Sequence, residues 1–276
     1  MPEMPEVTTV KNALLKKLRG YKIKSVDVYY PKIIESNLDD FKKLSNKELK
    51  DIMQIGKWMI FDLGDIYMLS HLRMEGKFFI KEAGTKPGFH DLVYFHLDHN
   101  TDLIYNDTRR FGILALIEKD KLYDHPGIKK MGYDPYDERL TKEYLYKKYS
   151  KSRKAIKTVL LDQTIFCGLG NIYANEVLFA CGINPYTPAN ELSIEDCQNI
   201  IDNSRDILKR ATEAGGTTIR SYTSQLGVKG SYQDQLQVHS RENMPCKKCG
   251  EKIICEQING RSAYYCPKCQ KNKPIS

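Results

Sequence analysis

Between Pro5 and Arg19 the apolar residues Val7, Val10, Leu14 and Leu18 recur at three- and four-residue steps, and Gly20 follows them. That period is helical and the glycine supplies a stop, so the pattern predicts one amphipathic helix. From Ile23 the period shortens. Ile23, Val26 and Val28, then residues 58–63, 66–72, 78–80, 92–97, 103–105 and 113–117, form short apolar runs separated by Gly, Asp and Asn. Seven or more short strands predict a sandwich or barrel, with Gly64-Asp65 as a tight hairpin turn. Pro126, Gly127, Gly132 and Pro135 then interrupt the pattern, and a domain boundary is expected there. Beyond it, residues 141–149, 152–162, 172–181 and 193–214 carry helical spacing, the last with Ser193 and Glu195-Asp196 at its start and Gly215-Gly216 at its end. Gly227, Gly230 and Ser231 mark a loop, expected to be mobile over 217–230, before a cysteine-rich tail.

The 276 residues are 41% hydrophobic and 10% aromatic, enough for a buried core and for more than one domain. No run of 18 apolar residues occurs and the N-terminus is polar and acidic within six residues, so neither a membrane span nor a secretory signal is expected. The expected compartment is the cytoplasm. Lys and Arg number 43 against 35 Asp and Glu, and the resulting +8 favours a polyanionic partner, although good solubility would explain it equally well.

Five of the eight cysteines lie beyond residue 245, which points to reduced thiols and metal rather than disulfides. Cys246-x-x-Cys249 and, sixteen residues later, Cys266-x-x-Cys269 have the spacing of a four-thiolate zinc ribbon. Four thiolates close the tetrahedron and leave no open position, so one structural Zn²⁺ is expected, and it supplies the folding free energy of a tail too small to fold alone. Cys167, Cys181, Cys197 and Cys255 fall outside this spacing and are expected to be small buried hydrophobes.

Met1-Pro2-Glu3 offers another chemistry. A small residue after the initiator favours methionine removal, which leaves proline's secondary amine at the terminus. Such an amine is a usable nucleophile near neutral pH, and it condenses with an aldehyde-level carbon to an iminium that is cationic without a proton. Glu3 beside it can move protons. In isolation, a Pro-Glu start is ordinarily just a disordered terminus.

Six motifs in order carry a resemblance: Pro2-Glu3-Met4-Pro5-Glu6-Val7, His71-Leu-Arg-Met74-Glu-Gly76, Arg109-Arg110-Phe111-Gly112, Gly168-Leu-Gly-Asn171-Ile-Tyr173, Gly215-Gly-Thr-Thr218, and the four-cysteine tail with Gly260-Arg261. Together they resemble the bacterial formamidopyrimidine-DNA glycosylases along the whole chain. Met4 stands where that family usually has Leu, and Thr8 where Glu is common. The sister endonuclease VIII branch usually opens Pro-Glu-Gly-Pro and lacks the Met, Arg and Phe combination. The resemblance implies an α+β, multi-domain fold: a β-sandwich with an N-terminal helix over 1–130, a helix-two-turn-helix domain over 136–228 and a zinc finger over 238–274. It also implies damaged double-stranded DNA as partner, held between lobes by a monomer that is nucleoid-associated when acting on DNA and has no membrane association.

By the same resemblance Pro2 attacks the sugar C1′, Glu3 assists ring opening, and strand scission follows by β- and then δ-elimination. Lys57 becomes a phosphate contact and proton donor, and Arg261 a phosphate grip that assists δ-elimination. Met74, Arg109 and Phe111 fill the space left when the damaged nucleotide leaves the stack. His71, His90, Arg153 and Asn171 fall at DNA-contacting positions. Apart from the resemblance, Lys57 reads as a snorkelling surface lysine, Met74 and Phe111 as core residues at strand ends, and Asn171 as an N-cap. The run Lys151, Arg153, Lys154 and Lys157 reads equally as a solvated helix face. An endonuclease VIII-like enzyme for oxidised pyrimidines and a non-enzymatic zinc-ribbon DNA binder are the competing expectations.

Overall fold

The helix predicted from Val7, Val10, Leu14 and Leu18 is α1 (Met4–Leu18), and those four side chains are its buried face. The computed structural model describes residues 2–217 and 230–271. In it the chain divides into two units, residues 1–129 with 215–230, and residues 130–214 with 231–276.

Eight strands build the first unit: β1 (Ile23–Val28), β2 (Asp51–Ile55), β3 (Trp58–Asp62), β4 (Ile66–His71), β5 (Lys77–Glu82), β6 (Asp91–Leu97), β7 (Thr101–Asn106) and β8 (Ile113–Glu118). They form two antiparallel four-stranded sheets, ordered β2-β3-β4-β8 and β1-β6-β7-β5. Phe61 of one sheet meets Phe78 of the other with ring centroids 5.4 Å apart, inside a core that also takes in the apolar face of α1. Of the sandwich or barrel expected from the short strands, the sandwich that the resemblance implies is present. The Gly64-Asp65 turn closes through Leu63 N–H donating to the Ile66 carbonyl at 3.1 Å, with Gly64 at φ 100°. Strand β2 escaped the sequence pattern because it is an edge strand with a single fully buried residue, Ile52. Two short helices, α2 (Leu38–Lys42) and α3 (Pro126–Lys129), complete this unit among the described residues.

The second unit is helical, with α4 (Lys142–Tyr149), α5 (Ile156–Leu160), α6 (Asn171–Ala180) and α7 (Ile194–Glu213). Ser193 caps α7 by accepting the Asp196 amide at 3.1 Å while Asp196 accepts the Ser193 amide at 2.8 Å. The helix expected over 152–162 is shorter than its spacing suggested, because residues 151–154 are not helical and α5 starts at Ile156. Glu176 on α6 is buried and accepts the amides of Gln237, Val238 and His239 at 2.8, 3.0 and 2.8 Å, fixing the chain as it enters the finger. There β9 (Ile254–Ile258) and β10 (Arg261–Tyr265) pair as a hairpin. Asn259 and Gly260 form its two-residue turn, both with positive φ, as a type I′ turn requires.

Candidate functional site

Pro2 and Glu3 lead into α1 and both are buried, Glu3 to 2% exposure. The disordered start that the dipeptide alone would suggest is absent. Glu6 accepts the Glu3 amide through Oε2 at 2.9 Å, and its Oε1 accepts the amide and hydroxyl of Thr217 at 2.8 and 3.0 Å. Gly216 can be nothing larger at this contact, since a Cβ there would lie 2.8 Å from Glu6 Oε1, at a φ of 80°. The glycine pair thus both stops α7 and seats Thr217 on the carboxylate. Thr218 and most of the expected 217–230 loop lie outside the described residues.

Gln54 ties this helix start to the β2–β3 hairpin. Its amide donates to the carbonyls of Gly56 at 2.8 Å and Met4 at 3.3 Å, and its oxygen accepts from Thr8 at 2.9 Å. Lys57 occupies the two-residue turn of that hairpin and is buried at 6% exposure, so it is not a snorkelling surface lysine.

Beside it, His71 ends β4 with its ring edge-on to Trp58 at 4.9 Å. Its Nδ1 accepts the Arg73 amide at 3.0 Å, which assigns the proton to Nε2. Burial, aided by the nearby charges of Arg73 and Lys57, lowers its pKa to about 3. His71 is a neutral ring able to donate one hydrogen bond.

Met74 and Phe111 are 38% and 54% exposed. They are not core residues. Each sits on a loop with a residue in the left-handed region, Arg73 at φ 52° and Arg110 at φ 57°. The Arg109 guanidinium lies 4.8 Å from the Phe111 ring centroid. Arg110, which sequence reasoning assigned no role, is held between the rings of Tyr30 at 4.7 Å and Phe89 at 5.5 Å. An open groove of about 510 Å³ adjoins these loops, with Lys32, Arg73 and Arg110 on an apolar floor that includes Met74 and Phe111. His90 is half-buried and its carbonyl accepts the Asp107 amide at 3.0 Å.

In the second unit, Gly170 is the N-cap of α6 and Asn171 is the first helical residue, which corrects the N-cap expectation for Asn171. Its amide instead donates to the Ser262 carbonyl at 3.1 Å. Lys157 donates to the same carbonyl and is fully buried, whereas Lys151, Arg153 and Lys154 are exposed. The basic run is therefore not one solvated helix face. One of its members anchors the β9–β10 hairpin and three face water. Arg261, next to Ser262, is exposed on that anchored hairpin.

The four cysteines assigned to metal come together. Their sulfurs all lie within 4.8 Å of one another, with Cys246 to Cys269 at 3.9 Å and Cys249 to Cys266 at 3.5 Å. Zn–S bonds of about 2.3 Å in a tetrahedron require sulfurs roughly 3.8 Å apart, close to these two pairs, so the four-cysteine donor set fits a zinc ion with the widest pair drawing in. The Glu251 amide draws the Cys249 thiol down to about 7, while burial pushes Cys269 up to about 12. Four thiolates at this spacing need a cation between them. With all four donors supplied by protein, the zinc is structural. Cys167 and Cys197 are buried as expected, and Cys181 and Cys255 are only partly so.

A buried Pro2-Glu3 pair at the head of α1, two loops that expose Met74 and Phe111, and a closed four-thiolate finger define a zinc-finger protein built on a two-sheet sandwich. Comparison with known proteins agrees. Residues 1–114 match the formamidopyrimidine-DNA glycosylase N-terminal domain, 131–223 the H2TH domain of the same glycosylase and 245–272 the zinc finger found in FPG and IleRS. The formamidopyrimidine-DNA glycosylase of an Exiguobacterium species is 41% identical over 275 residues, covering 98% of this chain and all of that one. That of Ligilactobacillus salivarius is 42% identical over 98% of this chain and 99% of its own. Among solved structures, Lactococcus lactis Fpg in complex with abasic-site DNA superposes with a TM-score of 0.93 at 37% identity, covering 98% of this chain and 100% of that one. A variant of the same protein with Fapy-dG-containing DNA gives the same score. This chain belongs to the formamidopyrimidine-DNA glycosylase family.

Proposed function

We propose that this chain excises oxidised purines, 8-oxoguanine and formamidopyrimidines, from double-stranded DNA and then cleaves the abasic strand by β- and δ-elimination. The observation that carries this reading is the burial of Pro2 and Glu3 at the head of α1, on the framework that also holds Lys57. The Lactococcus lactis neighbours, in complex with abasic-site and Fapy-dG-containing DNA, support the same substrate class.

After Met1 removal, the Pro2 nitrogen attacks the sugar C1′ as the bond from C1′ to the base breaks, and the proton the amine sheds leaves on the departing base. A proton from Glu3 to the ring oxygen opens the sugar and leaves a C1′ iminium on Pro2. The ionised Glu3 then takes a C2′ proton, the C–H electrons flow into that electron sink and expel the 3′ phosphate, and a second elimination expels the 5′ phosphate. Lys57, buried in its hairpin turn, meets a phosphate and donates a proton in the first elimination. Arg261 holds a phosphate with a planar guanidinium and assists the second. The neutral Nε2–H of His71 donates to a phosphate oxygen, as does His90, and exposed Arg153 and the start of α6 at Asn171 meet the backbone. Met74, Arg109 and Phe111 replace the everted nucleotide, the two apolar side chains wedging the stack while Arg109 hydrogen-bonds the orphaned partner base. The zinc ion held by Cys246, Cys249, Cys266 and Cys269 takes no chemical step and keeps the Arg261 hairpin folded. The DNA so treated is the bacterial chromosome, in the cytoplasm.

Borohydride trapping on duplexes carrying 8-oxoguanine, an oxidised pyrimidine or an abasic site tests the chemistry and the substrate class together. The expected result is a covalent adduct on the N-terminal peptide, formed fastest with 8-oxoguanine among the damaged bases. An adduct on Lys57 would overturn the nucleophile assignment. Faster trapping with the oxidised pyrimidine would favour the endonuclease VIII-like enzyme, and no adduct from protein verified to begin at Pro2 would favour a non-enzymatic binder.

A further inference from the structure

The loops bearing Met74 and Phe111 both come to rest at the end of β7. Tyr105, within that strand, is fully buried, and its hydroxyl occupies the place where a side chain would start on either of two glycines. A Cβ at Gly76 would lie 2.1 Å from that oxygen and a Cβ at Gly112 would lie 1.6 Å from it. Gly76 closes the first loop and Gly112 the second. Asp107, just beyond β7 and 0% exposed, accepts the amide of Arg109 at 2.9 Å on one oxygen, and those of Phe111 and Gly112 at 2.9 and 2.8 Å on the other. The Thr108 hydroxyl donates to the Glu75 carboxylate and joins the loops a second time.

We propose that Tyr105 and Asp107 are positioning residues that key these two loops to each other, so that Met74, Arg109 and Phe111 enter the duplex as one preformed wedge. This rests on the wedge role proposed above. Neither residue needs to touch DNA. A loop left free would lose backbone freedom on insertion, just when base unstacking has to be offset, and Asp107 removes that loss beforehand by holding three consecutive-turn amides. Tyr105 sets the spacing between the loops, because its hydroxyl is the nearest atom to a side-chain start at both glycines.

The test is a set of double-mutant cycles. M74A and F111A are made singly and together in the wild type, in D107N and in Y105F, and single-turnover excision from an 8-oxoguanine duplex is measured beside Tm and affinity for undamaged duplex. In the wild type the double loss should differ from the product of the single losses by ~threefold or more. D107N turns an amide NH₂ toward N–H donors, and excision should fall ~10–100-fold while undamaged-duplex affinity holds. Y105F removes a hydroxyl that meets no hydrogen-bond partner among the described residues but leaves the ring, so Tm should hold while the coupling between Met74 and Phe111 weakens. Folded D107N and Y105F with wild-type excision and unchanged coupling would overturn the positioning role and leave the wedge standing. Wild-type rates for M74A and F111A would overturn the wedge and the positioning role together. Should D107N prove too unstable to assay, the Y105F cycle decides by the same outcomes.

Discussion

Glu6 and Thr217 are 211 positions apart, yet one carboxylate oxygen of Glu6 accepts both the amide and the hydroxyl of Thr217. The other oxygen holds the Glu3 amide, so the head of α1 and the segment after α7 share one buried acid. Glu6→Gln keeps the shape but puts an NH₂ against one of these donors. A loss of about 1–3 kcal/mol in unfolding free energy is expected. Urea titration checks it, and a wild-type midpoint would show that the contact contributes nothing.

Phe111→Ala should separate folding from function. The ring is 54% exposed, so stability should change by no more than about 0.5 kcal/mol. By the proposed wedge role, excision from damaged duplex should fall sharply, because one of the two apolar side chains that fill the emptied stack is gone. A large drop in Tm would instead return Phe111 to the core.

Zinc removal should unfold the finger and abolish DNA binding, since the small apolar cluster beside the metal site, formed by Phe179 of α6, Val238, Ile253, Cys246 and Cys266, includes two of the metal ligands themselves. Metal analysis of fresh protein should give one zinc per chain. Chelation followed by zinc addition should restore binding. Full binding by Cys249→Ala would contradict a structural role.

DNA affinity should fall with salt in proportion to the phosphates neutralised. Arg261→Gln should weaken binding to all sequences alike and reduce the slope of log affinity against log salt by about 1. Lys157→Gln should act differently. Its side chain is buried on the Ser262 carbonyl, so the expected loss is in stability of the finger junction rather than in salt slope.

Two histidines should give pH dependences of opposite sign. His71 is held near 3 against an ordinary 6.5. Its neutral form is therefore favoured by folding, and the stability is present above pH 6.5 and lost as pH falls toward 3, by at most about 1.4 kcal/mol per unit. Burial opposes charging His96 as well, but Asp27 and Asp102, bonded to its two nitrogens at 3.1 and 2.7 Å, outweigh burial and raise its pKa. Its contribution is full below 6.5 and lost as pH rises through the raised value. Unfolding at pH 5, 7 and 9 should show His71→Gln gaining on the wild type in acid, and His96→Gln costing most in acid and least in base.

The helix α1, seven of the eight sandwich strands and the main helices were legible because their apolar positions repeat with a clear period over one buried face. The zinc site was legible from the spacing of four cysteines alone. What the sequence concealed are contacts that close over long separations: Glu6 on Thr217, Lys157 on Ser262, and Tyr105 beneath Gly76 and Gly112. Asp107 had a local sign, an acid followed two and four residues later by the amides it accepts, but such turns are common and carry no mark of function. Lys157 misled for a simple reason. A lysine in a basic run is ordinarily solvated, and only the fold shows a carbonyl waiting for it.

Tyr105 also constrains how this protein can diverge. Losing its hydroxyl alone would not make room for alanine at either glycine, because the ring carbon that bears it lies 2.9 Å from a Cβ at Gly76 and 2.7 Å from one at Gly112. A descendant that discards either glycine must first shorten the residue at 105, and that ancestor would carry a void where two loops had been braced. The three positions therefore drift together or not at all, a small evolutionary lock whose cost falls on the intermediates rather than on either end state.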